Sequence, residues 1–98
     1  SSKSMQKKTA IITGASRGIG EAVARGLVSS GYSVALVARS ENQLRELVRE
    51  LEGNAIYFVA DVRDEKEIEH ITKTVWDKWG RIDVVFIMRE FYVWGRQK

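Results

Sequence analysis

The chain has 98 residues, of which 44% are hydrophobic and 30% are charged, and it contains no cysteine and no proline. This length suits one small domain, and the absence of cysteine excludes a disulfide framework and a thiolate metal site. No apolar run reaches the roughly 18–20 residues that a membrane-spanning helix needs, and nothing resembles a signal peptide. We therefore expect a cytoplasmic protein without a membrane partner.

The net charge of +3 comes from the two ends of the chain, because residues 9–88 hold 10 basic and 12 acidic side chains. Nucleic-acid binding requires basic residues that cluster on one element. The sequence has no such cluster, so we expect no nucleic-acid partner. The basic residues at the ends are Lys3, Lys7, Lys8, Arg89, Arg96 and Lys98.

Apolar runs that alternate with amphipathic stretches predict four strands and three helices in the order β-α-β-α-β-α-β. The apolar residues of each strand are consecutive, which is typical of parallel strands that are covered on both faces. The strands are predicted at about 8–13, 33–38, 55–60 and 82–88.

The first predicted helix follows the first strand and a glycine-rich turn. Ile19, Val23 and Leu27 are four residues apart. With Ala22 beside them, they predict one apolar stripe that faces the core. Gly31 has the position of a helix-ending glycine.

Capping-box spacings indicate where the other two helices start. The second helix is predicted to start at Ser40, three residues before Gln43, and to end at a Gly-Asn pair. The third is predicted to start at Asp64, three residues before a glutamate, and to end at Gly80. His70 has no His or Cys partner, so it is predicted to be a surface residue and not a metal ligand. The predicted core residues are Leu44, Leu47, Val48 and Leu51 in the second helix, and Ile68, Ile71, Val75, Trp76 and Trp79 in the third.

These elements predict an α/β fold that is half of a doubly wound, Rossmann-type parallel sheet. The expected strand order is 3-2-1-4 with three helices, the first two on one face and the third on the other. The glycine turn then lies where the strand order reverses, which is where such sheets bind ligands. Residues 1–6 are predicted to be a tag remnant or disordered start, 7–88 a dinucleotide-binding half-domain and 89–98 a divergent C-terminal tail.

The glycine turn, Thr-Gly-Ala-Ser-Arg-Gly-Ile-Gly, lies between a strand and a helix, where backbone N–H groups and the helix dipole attract a phosphate. Gly14 permits the tight turn, Gly18 lets a ligand approach the backbone, and Gly20 lets the helix pack closely on its strand. Ser16 and Arg17 lie at the rim, where they can reach phosphate oxygens. The glycines alone fit a purely structural turn equally well.

Arg39 follows the second strand about twenty residues after the glycines, where a dinucleotide site contacts the ribose. An acidic residue there would accept hydrogen bonds from the ribose hydroxyls, whereas a guanidinium attracts a 2′-phosphate and stacks on adenine. Together with Arg17 it predicts NADP(H) as the ligand rather than NAD(H). The alternative is a solvated arginine at a strand end.

Over about residues 7–86 the chain resembles the short-chain dehydrogenase/reductase family. The shared motifs are the glycine spacing, the Asp61-Val62 pair after the third strand and the sequence Trp-Gly-Arg-Ile-Asp at 79–83. The resemblance implies an NADP-linked oxidoreductase in which Asp61 bonds adenine. The expected cofactor contacts are Gly14, Ser16, Arg17, Gly18, Ile19, Gly20, Arg39, Ser40, Asp61 and Val62.

The resemblance stops at the fourth strand. The family continues there with Asn-Asn-Ala-Gly, where this chain has Ile-Met-Arg-Glu at 87–90. The family's active-site Ser, Tyr and Lys lie in a later second half, and Tyr92 is not expected to replace them. We therefore expect a chain that is truncated before the active site and catalytically inactive alone.

The alternative function is a non-catalytic, self-associating scaffold or interaction module that keeps the half-fold. Residues 91–94, Phe-Tyr-Val-Trp, have high β propensity and follow the fourth strand. The outer edge of that strand is expected to be open, and open edges and apolar faces drive association. We therefore expect a homo-oligomer that forms through this edge and the tail.

Overall fold

Seven regular elements alternate along the chain in the computed structural model, which describes residues 7–14, 18–52 and 54–87. The sheet order is 3-2-1-4 with all neighbours parallel, as predicted. The elements are β1 (Thr9–Thr13), α1 (Gly18–Ser29), β2 (Ser33–Ala38), α2 (Glu41–Leu51), β3 (Ala55–Val59), α3 (Glu65–Trp79) and β4 (Val84–Phe86).

The two central strands, β1 and β2, are buried along their whole length. They pair in parallel from Thr9 and Ser33 to Thr13 and Val37. Because the strands are parallel, the residues that follow their carboxyl ends meet at one edge of the sheet, here called the carboxyl edge. The opposite end, where the strands begin, is here called the amino edge.

The helices divide between the two faces of the sheet as predicted. On one face, Ala24 of α1 and Leu44 and Leu47 of α2 join buried strand residues in one core cluster. On the other face, Ile71 and Val75 of α3 pack on a second cluster. Alternate residues of β1, β2 and β3 pack in opposite clusters, so the residues between the ends of β1 and β2 are all apolar. Thr9, Thr13 and Ser33, at the strand ends, are buried polar residues. Val23, Leu27, Val48 and Leu51 are partly buried against the first cluster, and Ile68 and Trp79 against the second.

The predicted apolar stripe of α1 is wrong at two positions. Gly20 and Ala24 are the buried residues of this helix, whereas Ile19 is 62% exposed and Ala22 is exposed. Neighbouring residues are about 100° apart around a helix axis. Because Gly20 and Ala24 are on the buried side of the helix, Ile19 and Ala22 lie away from it.

Trp76 was predicted in the core but is exposed. The side of α3 that faces the core is formed by residues 68, 71, 75 and 79. Trp76 directly follows Val75, so it lies about 100° around the helix axis from the centre of this side. His70 is exposed, as predicted.

The helix ends follow the sequence signals with three exceptions. One is the end of α2, where Glu52 (φ 50°) is the left-handed C-cap residue directly before the predicted Gly-Asn pair. Asp64 caps α3, because its side chain accepts hydrogen bonds from the N–H groups of Lys66 and Glu67. The Asp64 N–H donates to the Asp61 carbonyl oxygen at 2.9 Å, so it does not need the Glu67 side chain that a full capping box uses. Ser40 is the N-cap residue of α2 but makes no side-chain capping bond. Gly31 (φ 93°) and Gly80 (φ 77°) end α1 and α3 as predicted.

No helix within the described ranges is both long and apolar enough to cross a membrane. The cytoplasmic location stays a prediction, as do the domain boundaries. The predicted start segment 1–6 and tail 89–98 lie outside the described residues, as does Tyr92.

Candidate dinucleotide-binding site

The turn after β1 is tied to the strands on both sides. Gly14 has a φ of 67°, a left-handed conformation that favours glycine, and its N–H donates to the Val37 carbonyl oxygen at 2.7 Å. The Thr13 hydroxyl donates to the Phe86 carbonyl oxygen at 3.3 Å. These two bonds connect the turn to β2 and β4, so its start is fixed at the carboxyl edge.

Helix α1 begins with two glycines in different surroundings. Gly18 has a φ of 66°, and a Cβ placed there would meet no neighbouring atom of the described residues within 4 Å. Gly20 is buried against the sheet. The described residues therefore leave space beside the backbone of Gly18, and the exposed Ile19 lies next to it. Ser16 and Arg17 lie outside the described residues, so their phosphate contacts stay predictions.

Arg39 and Ser40 connect β2 to α2 at the same edge. Arg39 is exposed and Ser40 is partly buried. The Ala60 N–H donates to the Ala38 carbonyl oxygen at 2.9 Å, which extends the pairing of β2 and β3 beyond the last residue of β3. Continuing the register of the two strands by one residue places the backbone of Arg39 beside that of Ala60, so Asp61 follows one residue later at the same edge.

Asp61 accepts three hydrogen bonds from Arg63. The Arg63 N–H and Nε bind Oδ1 at 2.9 and 3.1 Å, and Nη2 binds Oδ2 at 2.8 Å. The side-chain bond to Arg63 is the main reason why the pKa of Asp61 lies well below its usual range, and the charge of Arg39 acts in the same direction. Asp61 is therefore a carboxylate at neutral pH, which accepts hydrogen bonds and cannot donate them.

Arg63 is a residue that the sequence analysis missed. The signal in the sequence is that Arg63 comes two residues after Asp61, at the end of a strand. This spacing lets the two side chains pair within one turn. Val62, between them, is partly buried.

A second aspartate–arginine pair lies at the amino edge. Asp83 accepts from Arg81 Nε and Nη2 at 2.9 and 2.8 Å and from the Thr9 N–H at 2.9 Å. The Asp83 N–H donates back to the Thr9 carbonyl oxygen at 2.8 Å. The bond to Arg81 is the main reason why the pKa of Asp83 is lowered. This pair joins the start of β1 to the segment before β4 and is far from the glycine turn.

A groove of about 280 Å³ lies between α1 and α2. Arg25 of α1 pairs with Glu21 on its own helix and with Glu50 of α2, and the second pair connects the two helices. None of its lining residues is a predicted cofactor contact. Within the described ranges, no three His, Cys, Asp or Glu side chains are grouped so that they could hold a metal ion.

The structure brings the described members of the predicted site to one edge of the sheet. They follow the carboxyl ends of three adjacent strands, with the glycines after β1, Arg39 and Ser40 after β2, and Asp61 and Val62 after β3. An anion at the glycine turn would meet the N-terminus of α1, and a group beside it would meet a cation at Arg39 and a carboxylate at Asp61. This arrangement suits an extended ligand with a phosphate and a polar ring.

Comparisons with known proteins agree with this arrangement. A family model described as short chain dehydrogenase matches residues 8–87. An uncharacterized oxidoreductase of Staphylococcus epidermidis is 42% identical over 81 residues, which are 83% of this chain and 35% of that protein. The family that the sequence motifs predicted is therefore confirmed.

Two solved structures show the same fold with different cofactors. A variant of actinorhodin polyketide ketoreductase with NADPH has a TM-score of 0.77 and 36% identity over 83% of this chain and 32% of that one. A 3-ketoacyl-(acyl-carrier-protein) reductase of Brucella melitensis with NADH has a TM-score of 0.75 and 27% identity over 83% of this chain and 34% of that one. The chain spans about a third of the length of the curated relatives it matches.

Proposed function

Because the chain belongs to the short-chain dehydrogenase family, we propose that it binds NADP(H) at the carboxyl edge of the sheet as the nucleotide-binding part of an oxidoreductase. The observation that carries the choice of cofactor is Arg39, an exposed cation directly after β2. An acidic residue at this place would repel a 2′-phosphate, whereas a guanidinium binds it in a forked geometry.

The residues present fit each part of this cofactor. The open backbone at Gly18 and the N-terminus of α1 would hold the pyrophosphate. Arg39, with Arg17 as a second predicted cation, would hold the 2′-phosphate. Asp61 would accept a hydrogen bond from the adenine amino group, since a carboxylate is an acceptor only. Ile19 is exposed beside the turn, where it would cover the bound pyrophosphate.

The proposed reaction is hydride transfer between a nicotinamide and a carbonyl or alcohol substrate. The bound cofactor supplies the hydride chemistry, and the protein positions it. Residues 87–90 do not match the family's Asn-Asn-Ala-Gly. We therefore propose that the 98-residue chain binds the cofactor but does not by itself oxidise NADPH with a carbonyl substrate.

Calorimetric titration of the 98-residue chain with NADPH and NADH tests this proposal. We expect saturable binding with NADPH the tighter ligand. Arg39→Ala should raise the Kd for NADPH roughly tenfold, because a charge-assisted hydrogen bond is lost. The same variant should change the Kd for NADH less than about twofold, since NADH has no 2′-phosphate.

Arg49→Ala is the matched control, because Arg49 is an exposed arginine near the other end of α2. It should leave both dissociation constants unchanged. Absence of saturable binding of either nucleotide at millimolar concentration would contradict the proposal as a whole. Tighter binding of NADH would contradict only the role of Arg39.

A second candidate function is self-association through the edge strand β4. Val85 and Ile87 are about half exposed there, and Trp76 is exposed on α3. Exposed apolar groups on an edge strand favour pairing with a second copy. The tail that was predicted to contribute lies outside the described residues.

Sedimentation equilibrium tests this candidate. If the β4 edge pairs, Val85→Lys should shift a dimer toward the monomer, because a lysine on an edge strand opposes edge-to-edge pairing. Val59→Lys, on the other edge strand β3, is the matched control, since Val59 is exposed to a similar extent. A wild-type monomer at high micromolar concentration would contradict this candidate.

A further inference from the structure

We infer that Arg63 is a positioning residue that sets the preference for NADP(H) by neutralising Asp61, without itself contacting the 2′-phosphate. This inference rests on the proposed NADP(H) site and adds a residue to it. It follows from the three bonds that Arg63 makes to one carboxylate and from the position of that carboxylate at the same sheet edge as Arg39.

The geometry shows how completely Arg63 engages Asp61. Its backbone N–H and Nε occupy Oδ1, and Nη2 occupies Oδ2. A carboxylate offers about four acceptor positions. Three are used, so one position on Oδ2 remains for the ligand, and the fork fixes the orientation of the carboxylate that presents it. The Asp61 side chain is 36% exposed, so part of the side chain is open to solvent.

The same carboxylate is a problem for a site that binds a phosphate. The pairing of β2 and β3 extends to Ala60, which lies next to Arg39 in register, so Asp61 is one residue further along the same edge. The charge of Arg39 acts on the Asp61 carboxyl group. An unneutralised carboxylate at this place would repel a 2′-phosphate and cancel the charge of Arg39. With Arg63 paired to Asp61, the three side chains carry a net charge of plus one instead of zero.

Four proteins separate this role from others: the wild type, Arg63→Ala, Asp61→Asn and the double variant. In this order, the summed charge of the side chains at positions 39, 61 and 63 is plus one, zero, plus two and plus one. The measured quantity is the ratio of the Kd for NADH to the Kd for NADPH. Loss of a contact to adenine, which both nucleotides contain, changes the two dissociation constants equally and therefore leaves their ratio unchanged.

We expect the ratio to follow this charge. Arg63→Ala should lower it about threefold to tenfold, which is the size of one unit charge acting on a phosphate at a protein surface. Asp61→Asn should raise it, and the double variant should return it to the wild-type value. The differences should shrink in high salt, because exposed charges are screened.

Arg49→Ala is again the control, because Arg49 and Arg63 have the same side-chain exposure, 73%, and each pairs with an acidic residue. A structural role of Arg63 would weaken the binding of both nucleotides together and would not be reversed by Asp61→Asn. Arg63→Lys keeps the positive charge but cannot form the two parallel hydrogen bonds. It should therefore retain most of the ratio of dissociation constants, while both nucleotides bind more weakly.

The outcomes are distinct. An unchanged ratio in Arg63→Ala overturns the inference and leaves the proposed site intact. A lowered ratio that the double variant does not restore overturns it too, since it means that Arg63 contacts the phosphate directly. A wild type that binds neither nucleotide overturns the proposed function and this inference with it.

Discussion

The two edges of the sheet carry the same local motif, an aspartate and an arginine two residues apart that are joined by a forked ion pair. At the carboxyl edge, Asp61 pairs with Arg63, and at the amino edge Asp83 pairs with Arg81. The shortest distances are equal, 2.8 Å in both pairs. In each pair, the arginine lowers the pKa of the aspartate.

The pairs differ in what else the carboxylate contacts. Asp83 also accepts the N–H of Thr9, which is 74 positions away in the sequence. The hydrogen bonds of the Asp61 carboxylate go to Arg63, within its own turn. The side chains of Arg81 and Asp83 are 35% and 25% exposed, whereas those of Arg63 and Asp61 are 73% and 36% exposed.

This difference suits the same motif to two roles, one in the fold and one in the proposed ligand site. A fork whose carboxylate also binds a distant backbone group joins two strands and contributes to the fold. A fork that closes only a local turn contributes little to the fold, because the unfolded chain can form it as well. The second kind keeps a charged group oriented at the surface, where a ligand can use it.

The largest expected contrast is in stability. Asp83→Ala should decrease the urea midpoint of unfolding at pH 7, and this decrease should be about twice that caused by Asp61→Ala or larger. The reason is that Asp83→Ala leaves the Thr9 N–H and a half-buried arginine without their acceptor. Urea titrations followed by tryptophan fluorescence measure both shifts. Asp77→Ala, at an exposed position on α3, is the control and should have little effect.

Nucleotide binding by variants at the same two aspartates is a second test of the comparison between the edges. In folded protein, Asp83→Ala should leave the ratio of NADH to NADPH dissociation constants unchanged, since the amino edge is far from the glycine turn. A change as large as that produced by Asp61→Asn would show that the two edges do not differ in this way.

Much of the fold follows from local signals in the sequence. Continuous apolar runs identify the strands, and β2 has the predicted bounds, Ser33–Ala38. Glycines at 31 and 80 end two helices as predicted, because glycine adopts a positive φ without strain, whereas α2 ends at Glu52 with a φ of 50°. The alternation of strands and helices then limits the topology to a right-handed parallel sheet, with the observed strand order.

What the sequence did not predict depends on tertiary packing. Ile19 and Trp76 fit an apolar stripe by spacing, but the exact rotation of each helix is decided by which small or branched residues approach the sheet most closely. The edge placement of Arg39 and Asp61 was predictable, since both follow strands. The engagement of Asp61 by Arg63 was not, because it depends on the conformation of one turn.

The smallest expected contrast is in the pH dependence of stability. A lowered folded-state pKa means that the ionised aspartate contributes stability above the ordinary pKa of about 3.8. As the pH falls below that value, the unfolded chain takes up the proton first, so this contribution is lost progressively down to the folded-state pKa. The loss depends on the difference between the folded and unfolded states and not on the folded value alone.

The folded-state pKa is lowered for Asp61 and for Asp83, and for Asp61 by a large amount. The local fork of Asp61 can persist in the unfolded chain, whereas the contact of Asp83 with Thr9 requires folding. We therefore expect Asp83→Asn to remove more of the decrease in urea midpoint between pH 5 and pH 3 than Asp61→Asn removes. A larger effect from Asp61→Asn would mean that its pair forms only in the folded protein, and that the carboxyl-edge fork stabilises the fold as the amino-edge fork does.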